Sequence, residues 1–133
     1  MNEYVGSCLC GATTFKVRGE IEEFYLCHCQ RCQKDTGSAY AANLFVKTGM
    51  LTWLTGAQTV TTFSLPATRH TKSFCTVCGS AMPNTEVDGV IVIPAGCLDN
   101  NLSIIPTAHI CTSWRASWDR ELRELPQFKA LPE

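Results

Sequence analysis

The chain is expected to fold as a mainly β domain. Three observations lead there. Its short segments are rich in β-branched and aromatic residues, Gly- and Asn-containing turn signals separate them, and an Asp88-Gly89 pair sits between two strand-like runs. A length of 133 residues suits one domain, spanning 1–133, and is short for two. Apolar residues make up 45% and charged residues 17%, a globular rather than disordered balance.

Taken in order, residues 12–17 (ATTFKV) alternate and read as a strand, and Gly19-Glu20 turns the chain into a second strand over 21–26. Residues 30–34 allow one helical turn. The stretch 38–46 returns to strand character, with Tyr40, Ala42, Leu44 and Val46 on one face. After the Thr48-Gly49 turn come strands at 51–54 and 59–65, parted by Gly56, and a run over 69–74. Asp88-Gly89 predicts a hairpin between 84–87 and 90–93, which Pro94 and Gly96 then break. Asn100-Asn101 marks a loop and 108–112 a short strand. Residues 118–125 (WDRELREL) predict a short C-terminal helix stopped by Pro126.

The net charge is −1 and no basic run occurs, which argues against nucleic acid or anionic lipid as a partner. No apolar stretch approaches the ~20 residues of a membrane span, and the first residues do not resemble a signal peptide. A cytoplasmic location is expected. Nine cysteines are many for that compartment, where disulfides are rare and clustered thiols more often bind metal or do chemistry.

Seven of the nine fall in C-x-C or C-x-x-C patterns. Cys27, Cys29 and Cys32 lie within six residues. Sulfurs around a tetrahedral zinc stand roughly 3.8 Å apart, whereas alternate residues of an extended strand are about 6.5–7 Å apart. Cys27 and Cys29 can therefore share an ion only where the backbone curls. Cys75-x-x-Cys78-Gly79 is a second knuckle, its glycine suited to a positive φ. Pairing it with Cys29 and Cys32 would make a zinc ribbon, but 42 residues intervene. Pairing it with Cys8 and Cys10 makes a closed four-sulfur site and leaves Cys27, Cys29 and Cys32 as a second, three-sulfur site.

A closed site is structural, while an open one keeps a position for water or substrate. Three histidines could close the second site. His28 lies between two ligands and should face away from them, and His70 and His109 sit on predicted strands; the closed and open alternatives both stand. Cys97 and Cys111, among apolar neighbours, are expected in the core. Trp53, Trp114 and Trp118 are expected as core or rim aromatics. Arg31, Lys34, Arg69, Lys72 and Arg115 could bind an anionic substrate, though scattered cations are by default solvated surface.

Three stretches together resemble the glutathione-dependent formaldehyde-activating enzyme family, the centromere protein V/GFA domain. They are Gly6-Ser7-Cys8-x-Cys10-Gly11, Cys27-His28-Cys29-x-x-Cys32 with Gly37-Ser38, and Phe74-Cys75-x-x-Cys78-Gly79-Ser80. Ala95-Gly96-x-Leu98-Asp99, Pro106-x-x-His109-Ile110 and Leu125-Pro126-x-Phe128 fit as well, so the resemblance spans nearly the whole chain. It implies a β-tent fold with two zinc ions per chain. It places a structural zinc on Cys8, Cys10, Cys75 and Cys78, and a catalytic zinc on Cys27, Cys29 and Cys32, matching the division reached from spacing.

It further implies a carbon–sulfur lyase acting on a glutathione–aldehyde adduct such as S-hydroxymethylglutathione, with glutathione as co-substrate. A non-enzymatic zinc module of the same fold that binds a protein partner is the alternative. Residues 109–118 depart from the family pattern, with Cys111 for an aromatic, Trp114 for a serine and Ser117 for a proline. If that segment borders the pocket, the departure bears on substrate identity.

Overall fold

In the computed structural model, which describes residues 2–132, strand formation follows the alternation in the sequence. In β2 (Thr14–Gly19), Phe15 and Val17 turn inward and are fully buried, while Arg18 faces water. β2 lies between β1 (Glu3–Ser7) and β5 (Gly49–Thr55) in an antiparallel three-stranded sheet. The sequence reading had not anticipated β1, whose EYVGS carries little apolar pattern; its register with β2, from Glu3 opposite Arg18 to Ser7 opposite Thr14, supplies the pairing.

A five-stranded sheet forms the middle of the molecule. Its order is β11 (Ala108–Ile110), β3 (Glu23–Cys27), β4 (Ala41–Val46), β10 (Val90–Pro94) and β9 (Asn84–Val87). All its pairings are antiparallel except that of β11 with β3, which is parallel. The hairpin between β9 and β10 turns at Asp88 and Gly89, both with positive φ (53° and 73°), as the favoured two-residue turn requires. The third sheet is β6 (Val60–Ser64), β7 (Thr71–Cys75) and β8 (Ala81–Met82).

The sheets meet over one core that includes Phe15, Val17, Phe24, Leu44, Val46, Met82, Ile91 and Ile93. Complete burial of side chains such as Phe15 and Ile93 contributes about 1.5–3 kcal/mol each. Trp53 packs edge-on against Phe15, with ring centroids 5.9 Å apart.

The α-helix, α1 (Gln30–Thr36), follows directly on the central cysteines, where a helical turn was expected. Cys29 caps its start, accepting from the Cys32 N–H at its sulfur (3.3 Å), and Gly37 ends it with φ 66°. The expected C-terminal helix over 118–125 is reduced to a single 3-10 turn, Leu122–Glu124. Glu121 just before it has a positive φ of 49°, and Leu122 and Leu125 are exposed, so no apolar face is buried to hold longer helical structure. Among the described residues no helix is long and apolar enough to cross a membrane.

Candidate metal centres

Two turns build the first cluster. After β1, the chain folds back at Cys8, with the Gly11 N–H on the Cys8 carbonyl (3.1 Å) and the Thr13 N–H on the Cys8 sulfur (3.3 Å). After β7, the Gly79 N–H reaches the Cys75 carbonyl (2.7 Å), and Gly79 takes a φ of 78°, the role expected of it. These turns face each other, and the sulfurs of Cys8, Cys10, Cys75 and Cys78 lie within 4.8 Å of one another; those of Cys8 and Cys10 are 3.6 Å apart.

Ser80 joins the two turns. Its hydroxyl oxygen accepts the Leu9 N–H (2.8 Å) and stands 3.2 Å from the Cys78 sulfur. With a lone pair taken by Leu9, the hydroxyl hydrogen is available to the sulfur. Donation from this hydroxyl and the Ser80 N–H holds the Cys78 thiol down at about 5. Cys75 is also lowered, first by the Cys78 N–H. Four soft thiols whose sulfurs lie this close together fit a zinc ion.

The second cluster holds Cys27 at the end of β3, Cys29 at the helix cap and Cys32 in the first turn of α1. Their sulfurs also lie within 4.8 Å of one another, so the backbone does curl as their sharing of an ion demands. Burial raises the thiols of Cys27 and Cys32. Burial acts on Cys29 in the same sense but is outweighed by the Cys32 N–H, the neighbouring thiols and the Arg31 N–H, which bring it below the ordinary thiol value. The donor set is soft and fits zinc. Among the described residues no histidine or carboxylate joins the three sulfurs. On the three sulfurs alone, a tetrahedral ion would keep a fourth position for water or substrate.

The histidines lie elsewhere. His28 is completely buried and points away from the sulfurs, as its place between two ligands predicts. Its Nε2 is 2.8 Å from His109 Nδ1 on β11, and its Nδ1 faces the buried Asp119 carboxylate at 3.4 Å without hydrogen-bond geometry. Burial and the nearby Arg115 lower its basicity, against the opposing pull of Asp119. Arg115 in turn holds Asp119 (3.0 Å). Gln33 of α1 bridges the carbonyls of His28 (2.8 Å) and Trp114 (2.7 Å), binding residues 109–118 to the second cluster.

Within that segment Cys111 is exposed rather than in the core, because it follows β11 at a left-handed turn (φ 57°). It neighbours Cys27, whose thiol it helps to raise. Cys97 is half-buried against the core as expected. Trp114 and Trp118 are exposed, not packed within.

A cleft of about 250 Å³ opens beside the second cluster. Cys27 and Cys32 line one part, Tyr25, Phe45 and Met82 give it an apolar floor, and charged groups line its far part. Asp35 from α1 binds His70 Nε2 through Oδ2 (2.8 Å) and Lys72 Nζ through Oδ1 (2.9 Å). Lys72 also donates to the Asp35 carbonyl (2.6 Å). Arg69 borders the same cleft. From the sequence His70 is a candidate to close the second metal site and Lys72 and Arg69 are possible anion-binding cations, while Asp35 carries no signal; the structure joins His70 to Asp35 instead of to the sulfurs. No local spacing links residues 35 apart.

Across residues 3–114 the sequence matches the family model described as glutathione-dependent formaldehyde-activating enzyme. The chain belongs to this family. No curated protein matches the sequence. Among solved structures, a structural-genomics crystal structure of a Rhodobacter sphaeroides protein shares the fold, with a TM-score of 0.57 and 18% identity. The alignment covers 77% of the present chain and 97% of that one. The family match takes in all seven clustered cysteines and stops at Trp114, short of Asp119 and the exposed tail. In this member of the glutathione-dependent formaldehyde-activating enzyme family, both cysteine clusters are compatible with zinc.

Proposed function

We propose that the protein is a carbon–sulfur lyase that cleaves or forms a thiol–aldehyde adduct of the S-hydroxymethylglutathione type. In this reading Cys8, Cys10, Cys75 and Cys78 hold a structural zinc and Cys27, Cys29 and Cys32 a catalytic one. The observation that carries it is the juxtaposition of an open three-sulfur site with a cleft that has an apolar floor and a cationic edge.

Zinc bound by Cys27, Cys29 and Cys32 would supply a Lewis acid that stabilises the thiolate released from, or added to, the aldehyde carbon. The cleft supports the rest of the substrate. Glutathione is a tripeptide with two carboxylates, and Lys72 and Arg69 give the cleft positive charge to meet them. The hydroxymethyl group would sit between the cluster and the Asp35–His70 pair, shielded from water by Tyr25 and Phe45. Asn43, also lining the cleft, offers an amide to the peptide backbone.

Calorimetry with glutathione and S-methylglutathione tests the reading in protein confirmed to carry two zincs. The two ligands share a peptide body, and only the first has an ionisable thiol. Glutathione should bind with release of a proton and at least tenfold more tightly. Equal affinities would overturn the lyase reading and favour the alternative, a zinc module that binds a protein partner.

A further inference from the structure

The lyase reading needs a group to handle the adduct's hydroxyl proton, and the cleft contains one candidate held in a defined orientation. His70 presents Nε2 to Asp35 Oδ2 at 2.8 Å, and its Nδ1 has no hydrogen-bond partner among the described residues. A carboxylate accepting at Nε2 fixes the neutral ring with its hydrogen on that nitrogen and its lone pair on Nδ1. Asp35 is itself held: Lys72 binds its other carboxylate oxygen and its main-chain carbonyl. The imidazole therefore belongs to an ordered Lys72–Asp35–His70 array, one-fifth exposed at the histidine, in the cleft that Cys27 and Cys32 also line. Orienter, base and open sulfur site share one cavity.

We propose that His70, oriented by Asp35, is the general base that removes the hydroxyl proton of the thiol–aldehyde adduct and returns it in the reverse direction. The inference rests on the lyase reading. For an adduct R–S–CH2–OH, the O–H proton passes to His70 Nδ1. The O–H electron pair becomes the second bond of the carbonyl, the C–S bond breaks, and its pair leaves on sulfur as thiolate. Formaldehyde and the thiol are the products once the proton returns from the imidazolium, so no oxidant or further reactant is required. Asp35 is a positioning residue: it touches the imidazole and not the substrate.

The charged groups around the ring come from two places besides its own loop. α1 supplies Asp35 and β7 supplies Lys72, while Arg69, next to His70, also borders the cleft and pairs with the exposed Asp88 (3.3 Å). Asp35 is thus the one anion in contact with the ring among the described residues.

The alternative is that the array merely fastens α1 to β7. Exchange NMR of S-hydroxymethylglutathione with glutathione and formaldehyde, using two-zinc protein, separates the two. His70→Gln should lower kcat by about 10²–10⁴-fold, the usual contribution of general acid–base catalysis, with glutathione affinity and thermal midpoint nearly unchanged. Asp35→Asn should give a smaller loss of about tenfold. It should also shift the 15N resonances of the His70 ring away from the single Nε2–H tautomer, a readout that requires no turnover. Wild-type kcat in His70→Gln, alongside an active wild type, would overturn the base assignment alone. A two-zinc wild type with no exchange activity would overturn it together with the lyase reading.

Discussion

His28 Nε2 and His109 Nδ1 stand 2.8 Å apart, and neither ring joins the three sulfurs of the second cluster. The pair links β3 to β11, and His28 also stacks at a tilt on Tyr40, with centroids 5.2 Å apart. A histidine set between two metal-ligand cysteines is thereby committed to packing. The unequal exposure of the partners gives a direct test. His28→Ala empties a fully buried site and leaves the buried Asp119 without its neighbour, so it should cost about 2–4 kcal/mol. His109→Ala, at an exposed position, should cost less than about 1 kcal/mol. Urea melts of the two variants check the order.

The cysteine clusters should respond differently to loss of a ligand. Fully metallated protein should contain two zincs by elemental analysis, and a mild chelator should take the ion of the three-sulfur site first. Cys75→Ser should strongly lower the thermal midpoint, because Cys75 is wholly buried in the core and structural zinc contributes folding free energy directly. Cys29→Ser should leave the midpoint within a few degrees of wild type while halving the zinc content. Equal losses of stability in both variants would contradict the division.

With both clusters metallated, only Cys97 and Cys111 remain as free thiols. Cys111 is exposed and should react rapidly with a disulfide reagent, giving one fast equivalent that Cys111→Ser abolishes. Burial pushes the Cys97 thiol up to about 12, so it should be almost inert at neutral pH. The sign for stability follows from this shift. The folded state favours the neutral thiol, so the contribution is complete below the ordinary value of 9.0 and is lost as pH rises from there towards 12. Cys97→Ala should flatten the decline in stability measured between pH 9 and 11.

Two glycines with similar φ values should differ sharply on replacement by alanine. At Gly56 (φ 68°) an added Cβ would strike the Ala12 carbonyl, next to the turn that carries Cys10. At Gly79 (φ 78°) it would meet nothing within 4 Å. Gly79→Ala should cost only the left-handed backbone penalty, roughly 1–2 kcal/mol. Gly56→Ala adds a backbone collision and should cost roughly 3–5 kcal/mol, with weaker retention of the first zinc. Denaturation combined with zinc release by chelator measures both effects.

The sequence by itself determined what depends on short-range spacing. Cys75, Cys78 and Gly79 make a knuckle because three residues and one positive φ decide it, and Asp88-Gly89 makes a hairpin for the same kind of reason. The alternation at Phe15 and Val17 was legible because one strand's two faces are written in consecutive residues. The four-plus-three grouping of the cysteines was legible too, since the thiols are few and their clusters dense. Where local pattern misled, tertiary contact was missing or decisive. WDRELREL has helical composition but no face to bury, and Cys111 sits in an apolar neighbourhood of sequence yet on an exposed turn. Only the tertiary structure decided that His28 turns to His109, that no described histidine joins the second cluster, and that Asp35 meets His70 and Lys72. Those contacts join α1 to residues at and beside β7 in a different sheet, and their geometry is set by how the sheets pack over the shared core rather than by any residue's neighbours along the chain.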